Sequence, residues 1–117
     1  MAETFLYLTT IGHKSGNPHS IEIWYVEHDG AYYMVSEMRE NAHWVQNILN
    51  NPQVKFSVGT RDNKNILVAH HPAHGRIITS DNEPHIHQVV CAKMDAKYNW
   101  SDGLIVEGLL QSRQRSN

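Results

Sequence analysis

Two strand-like segments flank a loop rich in glycine near the start of the chain, and this pattern constrains the fold more than any other feature. Thr4 to Thr10 is rich in β-branched and aromatic residues, which predicts a strand. Ser20 to Glu27 alternates imperfectly between apolar and polar residues, which predicts a second strand with both faces covered. Between them lies the loop Gly12-His13-Lys14-Ser15-Gly16-Asn17-Pro18-His19. We therefore interpret the rest of the chain as the scaffold that holds this loop.

The loop has the composition of a phosphate-binding turn. Gly12 and Gly16 free the backbone for conformations that let successive N–H groups turn inward, Lys14 adds a cation and Ser15 a hydroxyl donor. The earlier glycine of a P-loop is absent and no helical pattern follows, so a nucleotide triphosphatase is disfavoured. The alternative is an ordinary turn with a solvated lysine.

The remaining pattern predicts an antiparallel, barrel-like sheet of about seven strands with two inserted helices. The Asp29-Gly30 pair predicts a tight hairpin. A capping-box spacing over Ser80 to Glu83 predicts the start of the second helix. The predicted strands after the hairpin are Ala31 to Ser36, Gln53 to Val58, Ile66 to Ala69, Arg76 to Thr79 and Leu104 to Leu110; the predicted helices run over Trp44 to Leu49 and from about Ser80 to Tyr98, with a loop from His70 to Gly75.

Length and charge restrict the classes of protein to consider. At 117 residues we expect one domain over residues 1–110 and a polar tail over 111–117. Ten Lys and Arg against twelve Asp and Glu, without a basic stripe, argue against nucleic acid as a partner. The single cysteine, Cys91, argues against a disulfide framework, and we expect it to be a small buried residue of the second helix. Without a long apolar stretch, we expect a cytoplasmic protein with no membrane partner.

Five segments carry a resemblance to a known family: Leu8 to Pro18, Trp24 to Val26, Tyr32 to Ser36, Trp44 to Val54 and Lys97 to Leu104. In this order they resemble the split β-barrel flavin and deazaflavin oxidoreductases, which include deazaflavin-dependent nitroreductases and, more distantly, pyridoxamine 5′-phosphate oxidase. The resemblance implies a mainly β, α+β fold: an antiparallel split β-barrel of about six to seven strands with two helices, of the FMN-binding split-barrel type.

The same resemblance implies a homodimer that holds FMN or the deazaflavin coenzyme F-420 in a cleft between subunits. The implied activity is hydride transfer to a small organic acceptor such as a quinone or a nitro compound; the alternative is a cofactor-binding or sequestering protein without turnover. The phosphate of the cofactor would be held by the loop from Gly12 to Gly16, with Lys14 as the matching cation and Ser15 as the matching hydroxyl donor. Ser36 and Trp44 match positions beside the cofactor.

Three positions depart from the pattern of the deazaflavin enzymes. His13 and His19 stand where those enzymes usually have arginine, and Glu37 stands where they have lysine. Two positions with a permanent positive charge thus carry titratable histidines, and the third carries a negative charge where those enzymes have a positive one. This loss of positive charge favours FMN over the polyanionic deazaflavin, although only by degree. A histidine beside a phosphate can still contribute, because a nearby negative charge favours the imidazolium form.

Aromatic and histidine residues supply the other candidates. Tyr25, Tyr98 and Trp100 are candidate neighbours of the ring or substrate, although such residues commonly belong to a core or an interface. No catalytic acid or base is required by this chemistry, because the flavin ring itself carries the hydride. The chain has nine histidines, including His70, His71 and His74 together, but their spacing does not match a helical metal-ligand pair, so we predict no metal site.

Overall fold

The seven strands form one antiparallel sheet in the order β2-β1-β5-β6-β7-β4-β3. The structure is a computed structural model, and it describes residues 3–110. The predicted tail over 111–117 therefore lies outside the described residues. The strands are β1 (Phe5–Ile11), β2 (Pro18–Ile23), β3 (Tyr25–His28), β4 (Ala31–Ser36), β5 (Gln53–Gly59), β6 (Val68–Ile78) and β7 (Leu104–Leu110), and the α-helices are α1 (His43–Asn50) and α2 (Pro84–Tyr98). The predicted split-barrel class, with seven strands and two helices, is confirmed.

The second predicted strand is in fact two strands, β2 and β3, separated by Trp24. Ile23 of β2 pairs with Leu6 of β1, whereas Tyr25 of β3 pairs with Met34 of β4. These two pairings lie at opposite ends of the sheet order, so the backbone passes from one edge of the sheet to the other across a single residue. The prediction of one strand was wrong because the apolar pattern continues through Trp24 and does not mark this change of partner.

The predicted loop at His70 to Gly75 was also wrong, because the structure continues one strand, β6, through it. β6 pairs with β5 from Val68 to His74, but its ladder with β7 begins only at Ala73. Among the described residues, Pro72 therefore pairs with β5 alone, and a sheet tolerates a missing N–H at a position that is paired on one side. The histidines of this segment belong to a strand and not to a loop.

Two cores lie on opposite faces of the sheet. β4 shows this directly, since Tyr32 and Met34 belong to one core while Tyr33 and Val35 belong to the other. Helix α1 contributes Val45 and Ile48 to the first core, and α2 contributes Val90 and Met94 to the second; Cys91 packs beside the second core but is only partly buried. Because successive side chains of a strand point to opposite faces, every residue of β4 is buried.

Turn chemistry determines where several elements begin and end. Asp29 and Gly30 both have positive φ, 54° and 83°, so the predicted hairpin forms as expected for a primed two-residue turn. The predicted capping box does not form: the turn before α2 is held by Thr79 and Asn82, where Asn82 Oδ1 accepts the Thr79 N–H and Thr79 Oγ1 accepts the Asn82 N–H. Within the described residues, neither α1 nor α2 is long and apolar enough to span a bilayer.

Candidate functional site

Two clefts meet beside the start of α1. The smaller, of about 730 Å³, is lined by the glycine loop, β2 and α1. The larger, of about 970 Å³, is lined by the ends of β2 and β4 and by Trp100. Asn41, His43 and Trp44 line both, so the two clefts adjoin at the half-buried Trp44, and we call the pair together the groove. We call the smaller one the loop cleft and the larger one the aromatic cleft.

The glycine loop is held by its own backbone. The Gly12 N–H donates to Asn17 O at 2.8 Å, and the Gly16 N–H donates to Gly12 O at 2.9 Å. Gly16 has a φ of 74°, which a glycine adopts without strain. Within residues 3–110 the N–H groups of Lys14 and Ser15 have no partner. These two donors and the Lys14 ammonium therefore remain available at the tip of the loop.

Asn47 of α1 anchors the loop from below. Its Oδ1 accepts both the His13 backbone N–H at 2.9 Å and a hydrogen bond from His13 Nδ1 at 2.7 Å, and its Nδ2 donates to Thr10 Oγ1 at 2.9 Å. The backbone donor identifies the atom that receives both bonds as the amide oxygen, so His13 Nδ1 must carry a hydrogen. Asn47 is only 3% exposed, which makes this contact a fixed link between α1 and the loop.

His19 of β2 reaches back over the loop. Its Nε2 lies 3.3 Å from Ser15 Oγ, and Ser15 Oγ also accepts the Asn17 N–H at 3.1 Å. Both atoms lie directly above Gly12: a Cβ there would be 2.6 Å from Ser15 Oγ and 2.9 Å from His19 Nε2. Gly12 is thus a glycine because the Ser15 and His19 side chains occupy the space that any other residue would fill.

The walls of the loop cleft carry basic side chains. His13, Lys14, His19 and His43 line it, and none of the described residues in its lining is an Asp or a Glu. The His13 and His43 rings approach edge to face, with their centroids 6.4 Å apart. A concave surface with one ammonium, three imidazoles and two available N–H groups suits a phosphate ester, since no carboxylate competes with the anion.

The aromatic cleft has a different character. Trp24, Trp44 and Trp100 contribute to its walls, together with the carboxylates of Glu22 and Glu37. Arg61 binds Glu22 through two nitrogens, at 3.0 and 2.9 Å, and this hydrogen bonding holds the pKa of Glu22 below its usual value. The cleft can therefore hold a planar ring system, with charged groups at its rim.

Ser36 lies at the floor of the aromatic cleft. It is 2% exposed, and its hydroxyl donates to Arg39 O at 3.0 Å, which fixes the turn after β4. Arg39 itself has a φ of 56° and binds Asp102 through an exposed ion pair at 2.7 Å. Ser36 and Asp102 thus hold the short 3₁₀ helix Arg39–Asn41 beside the cleft, which Glu37 and Asn41 line.

Tyr25 and Tyr98 lie behind the aromatic cleft, outside its lining. The Tyr98 hydroxyl donates to Tyr25 O at 3.0 Å and accepts the Tyr25 N–H at 3.2 Å. Trp24 stacks on the Tyr98 ring with centroids 4.3 Å apart and planes 5° apart, and Trp100 contacts the edge of Trp24. Of the three substrate candidates, only Trp100 lines the cleft directly. Tyr98 instead supports one face of Trp24.

Sequence reasoning did not single out Asn47, His43 or Trp24. Asn47 had a detectable signal, because a buried amide on the apolar face of an amphipathic helix needs a partner. His43 precedes the helical apolar pattern and had none. The predicted loop residues, Ser36 and Trp44 do line the groove, apart from Gly16, which closes the turn. Their roles as cofactor ligands stay predictions.

The histidine cluster on β6 takes no part in this groove. His70, His71 and His74 lie along one strand, and His71 Nδ1 contacts only the Pro72 carbonyl, at 3.2 Å. Across residues 3–110, no group of three or more His, Cys, Asp or Glu side chains converges in a way that could hold a metal ion.

The family model for F420H(2)-dependent quinone reductases matches residues 1–98, most of the chain. The protein belongs to this family. Among solved structures, one of an F420-H2-dependent reductase, FDR-A, is 22% identical with a TM-score of 0.56, covering 92% of this chain and 96% of that one. The family is therefore one of deazaflavin-dependent reductases with a split-barrel fold.

Other solved structures with the same fold come from proteins described with different functions. HutZ, a heme storage protein from Vibrio cholerae, is 18% identical with a TM-score of 0.69, covering 92% of this chain and 81% of that one. A putative pyridoxamine 5′-phosphate oxidase from Listeria innocua is 12% identical with a TM-score of 0.64, covering 92% and 83%. At these identities the similarity shows the fold alone.

Proposed function

We propose that this F420H(2)-dependent quinone reductase family member binds reduced coenzyme F-420 along the groove and reduces a small planar acceptor such as a quinone or a nitro compound. One observation carries the proposal: a cleft lined by basic side chains, with no carboxylate among the described residues of its lining, adjoins an aromatic cleft at Trp44. Such a groove suits a ligand with an anionic part and a planar part.

The donor set at the loop fits a phosphate group. The Lys14 ammonium supplies charge, while the Lys14 and Ser15 N–H groups point from a backbone that the Gly12 and Gly16 hydrogen bonds hold rigid. The space above Gly12 accepts side-chain oxygen and nitrogen atoms because no Cβ is present. These residues would hold the phosphate, and the Asn47 anchor would keep the loop in place during binding.

Trp44 would position the ring of the cofactor. The half-buried Trp44 side chain lines both clefts, so a planar group placed against it in the aromatic cleft could extend its anionic substituent towards the loop. When bound, the reduced deazaflavin supplies the hydride. The contribution of this chain is to orient the ring and the acceptor and to keep water from the space between Trp44, Trp24 and Trp100.

Membership of the family supports the deazaflavin over FMN as the cofactor. The departures from the family pattern at three positions had, by themselves, favoured FMN. His13, His19 and Glu37 nevertheless leave the groove less positive than arginine and lysine at those positions would. A direct comparison decides between the two cofactors: purified protein is titrated in parallel with F-420 and with FMN, and ligand fluorescence reports binding. We expect tighter binding of F-420; tighter binding of FMN would overturn this assignment.

Lys14→Ala tests the phosphate site. Loss of one charge-assisted contact is worth about 1.5–3 kcal/mol, so we expect the dissociation constant for F-420 to rise about 10- to 100-fold. Lys55→Ala is the matched control, since Lys55 is an exposed lysine on β5 that lines neither cleft. Equal binding by Lys14→Ala and the unmodified protein would refute the assignment of the loop.

Cofactor binding without turnover is the second candidate. The similarity to HutZ supports it, because a protein of the same fold is described as a storage protein. The test is the rate at which bound, reduced F-420 is reoxidised by menadione compared with free cofactor. Faster oxidation in the bound state supports the reductase, and equal or slower oxidation supports storage.

We further propose a homodimer in the cytoplasm. Its support is the family resemblance of the chain, and sedimentation equilibrium tests the dimer directly. A monomer at micromolar concentration that still binds the cofactor would remove the dimer from the proposal.

A further inference from the structure

Two histidines line the loop cleft: His13, whose Nδ1 is bound to Asn47 Oδ1 of α1, and His19, whose Nε2 lies 3.3 Å from Ser15 Oγ of the loop. We propose that His13 and His19 take up protons when the loop binds a phosphate group, and that protonated His19 releases the Ser15 hydroxyl to the ligand. The inference rests on the proposed function, because it assumes that the loop binds the cofactor phosphate.

In His13, Nε2 is the ring atom that gains or loses a proton. Asn47 Oδ1 accepts from both the His13 N–H and Nδ1, so Nδ1 carries a hydrogen in every state of the ring. A neutral His13 therefore has a bare Nε2, whose lone pair repels an anion. Among the described residues Nε2 has no partner, so a phosphate in the cleft meets either a lone pair or, after protonation, a donor.

His19 acts through Ser15. Ser15 Oγ already accepts the Asn17 N–H at 3.1 Å, and His19 Nε2 lies 3.3 Å away. If His19 Nε2 carries no hydrogen, the Ser15 hydroxyl donates its hydrogen to this atom, and that hydrogen is unavailable to a ligand. Once Nε2 carries a proton it must donate to Ser15 Oγ, and the Ser15 hydrogen then turns elsewhere. His19 is in this sense a positioning residue.

Among the described residues, no carboxylate faces the two rings from the lining of the loop cleft. Lys14 of the loop and His43 of α1 are the other titratable groups of the cleft lining, and both are cationic when charged. β1 contributes Thr10, and the turn before α1 contributes Asn41, neither of which titrates. The carboxylates Glu22 and Glu37 line the aromatic cleft instead. A bound phosphate is therefore the compensating negative charge, and it favours the imidazolium forms.

The sign of the pH dependence follows from this linkage. A phosphate raises the proton affinity of both histidines in the complex, so binding is strongest at low pH and weakens as the pH rises through the range where imidazole titrates. We expect the dissociation constant to rise about tenfold per histidine between roughly pH 5.5 and 8.5.

The experiment is a calorimetric titration of the full chain with coenzyme F-420 in buffers of different ionisation enthalpy, from pH 5.5 to 8.5. The variants are His13→Gln, His19→Gln and, as a matched control, His85→Gln, since His85 is an exposed histidine of α2 outside the groove. Ionisation of the ligand is common to all four proteins, so differences between them report the protein. Thermal unfolding of each variant shows that it is folded.

We expect proton uptake in the unmodified protein and in His85→Gln, and a smaller uptake with a flatter pH profile in each loop variant. In a Ser15→Ala background, His19→Gln should have a reduced effect at low pH, because the hydroxyl that His19 releases is gone. The same proton uptake and pH profile in all four proteins would overturn the inference while leaving the proposed function intact. Absence of F-420 binding at every pH would remove both.

Discussion

Asn47 is the residue whose loss should separate the loop from its scaffold. Its buried side chain makes three hydrogen bonds, two to His13 and one to Thr10. At a net value of about 1 kcal/mol each, Asn47→Ala should lower the free energy of unfolding by about 3 kcal/mol. For a domain of this size that corresponds to a fall of roughly 10 °C in the unfolding temperature.

The same substitution should weaken cofactor binding, because His13 and the backbone on either side of it lose the contact that positions the loop. Urea unfolding followed by tryptophan fluorescence measures the first effect, and F-420 titration of the folded variant measures the second. Asn47→Asp is the control: a carboxylate oxygen still accepts from His13, and the Thr10 hydroxyl can donate to it. We expect Asn47→Asp to retain most of the stability that Asn47→Ala loses, whereas its added carboxylate in the lining of the loop cleft should weaken F-420 binding by repelling the anion.

Two results would refute this reasoning. A loss of stability below about 0.5 kcal/mol in Asn47→Ala would mean that the anchor is replaced by solvent at little cost. Unchanged F-420 affinity in a clearly destabilised Asn47→Ala would mean that the loop keeps its shape without α1, and that its own backbone hydrogen bonds suffice.

Three further predictions concern charge. Glu37→Lys should tighten F-420 binding about fivefold at low salt and less at high salt, measured by titration at two ionic strengths; an unchanged affinity would place Glu37 away from the ligand. Arg76→Met should lower the free energy of unfolding by about 2 kcal/mol in urea, because it leaves the Glu107 carboxylate, only 9% exposed, with the Tyr33 hydroxyl alone; a cost near zero would contradict this role. Burial raises the pKa of Tyr98 to about 12, so its contribution to stability should be complete below pH 10 and lost as the pH rises towards 12; ultraviolet titration showing Tyr98 ionising near pH 10 would refute this.

The sequence was sufficient to predict those elements that are determined by neighbouring residues. The Asp29-Gly30 turn needs two residues at positive φ, and the sequence names them. Helix α1 follows its apolar spacing from Trp44 to Leu49. The break at Trp24 and the path of β6 through Pro72 depend instead on which distant strands lie alongside, and no local pattern carries that information.

The candidate site likewise has residues that the sequence predicts and contacts that it does not. The glycine loop could be found because its composition is unusual, and Trp44 because it begins an amphipathic helix. The Asn47 anchor and the stack of Trp24 on Tyr98 join residues 34 and about 70 positions apart, and only the folded chain brings them together. His19 was proposed as a ligand, whereas its contact with Ser15 depends on the return of β2 along β1.

The position of β7 in the sheet has a consequence for how the chain folds. Within residues 3–110, this last strand alone joins the ladder β2-β1-β5-β6 to the pair β4-β3. The residues it brings together are far apart: Tyr33 and Glu107 are separated by 74 positions. Pairings of such long range make folding slow, because the chain entropy is lost before the contacts form. During synthesis, therefore, two separate half-sheets connected through Trp24 can form early, and the groove between them gains its final shape only when Leu104 to Leu110 inserts.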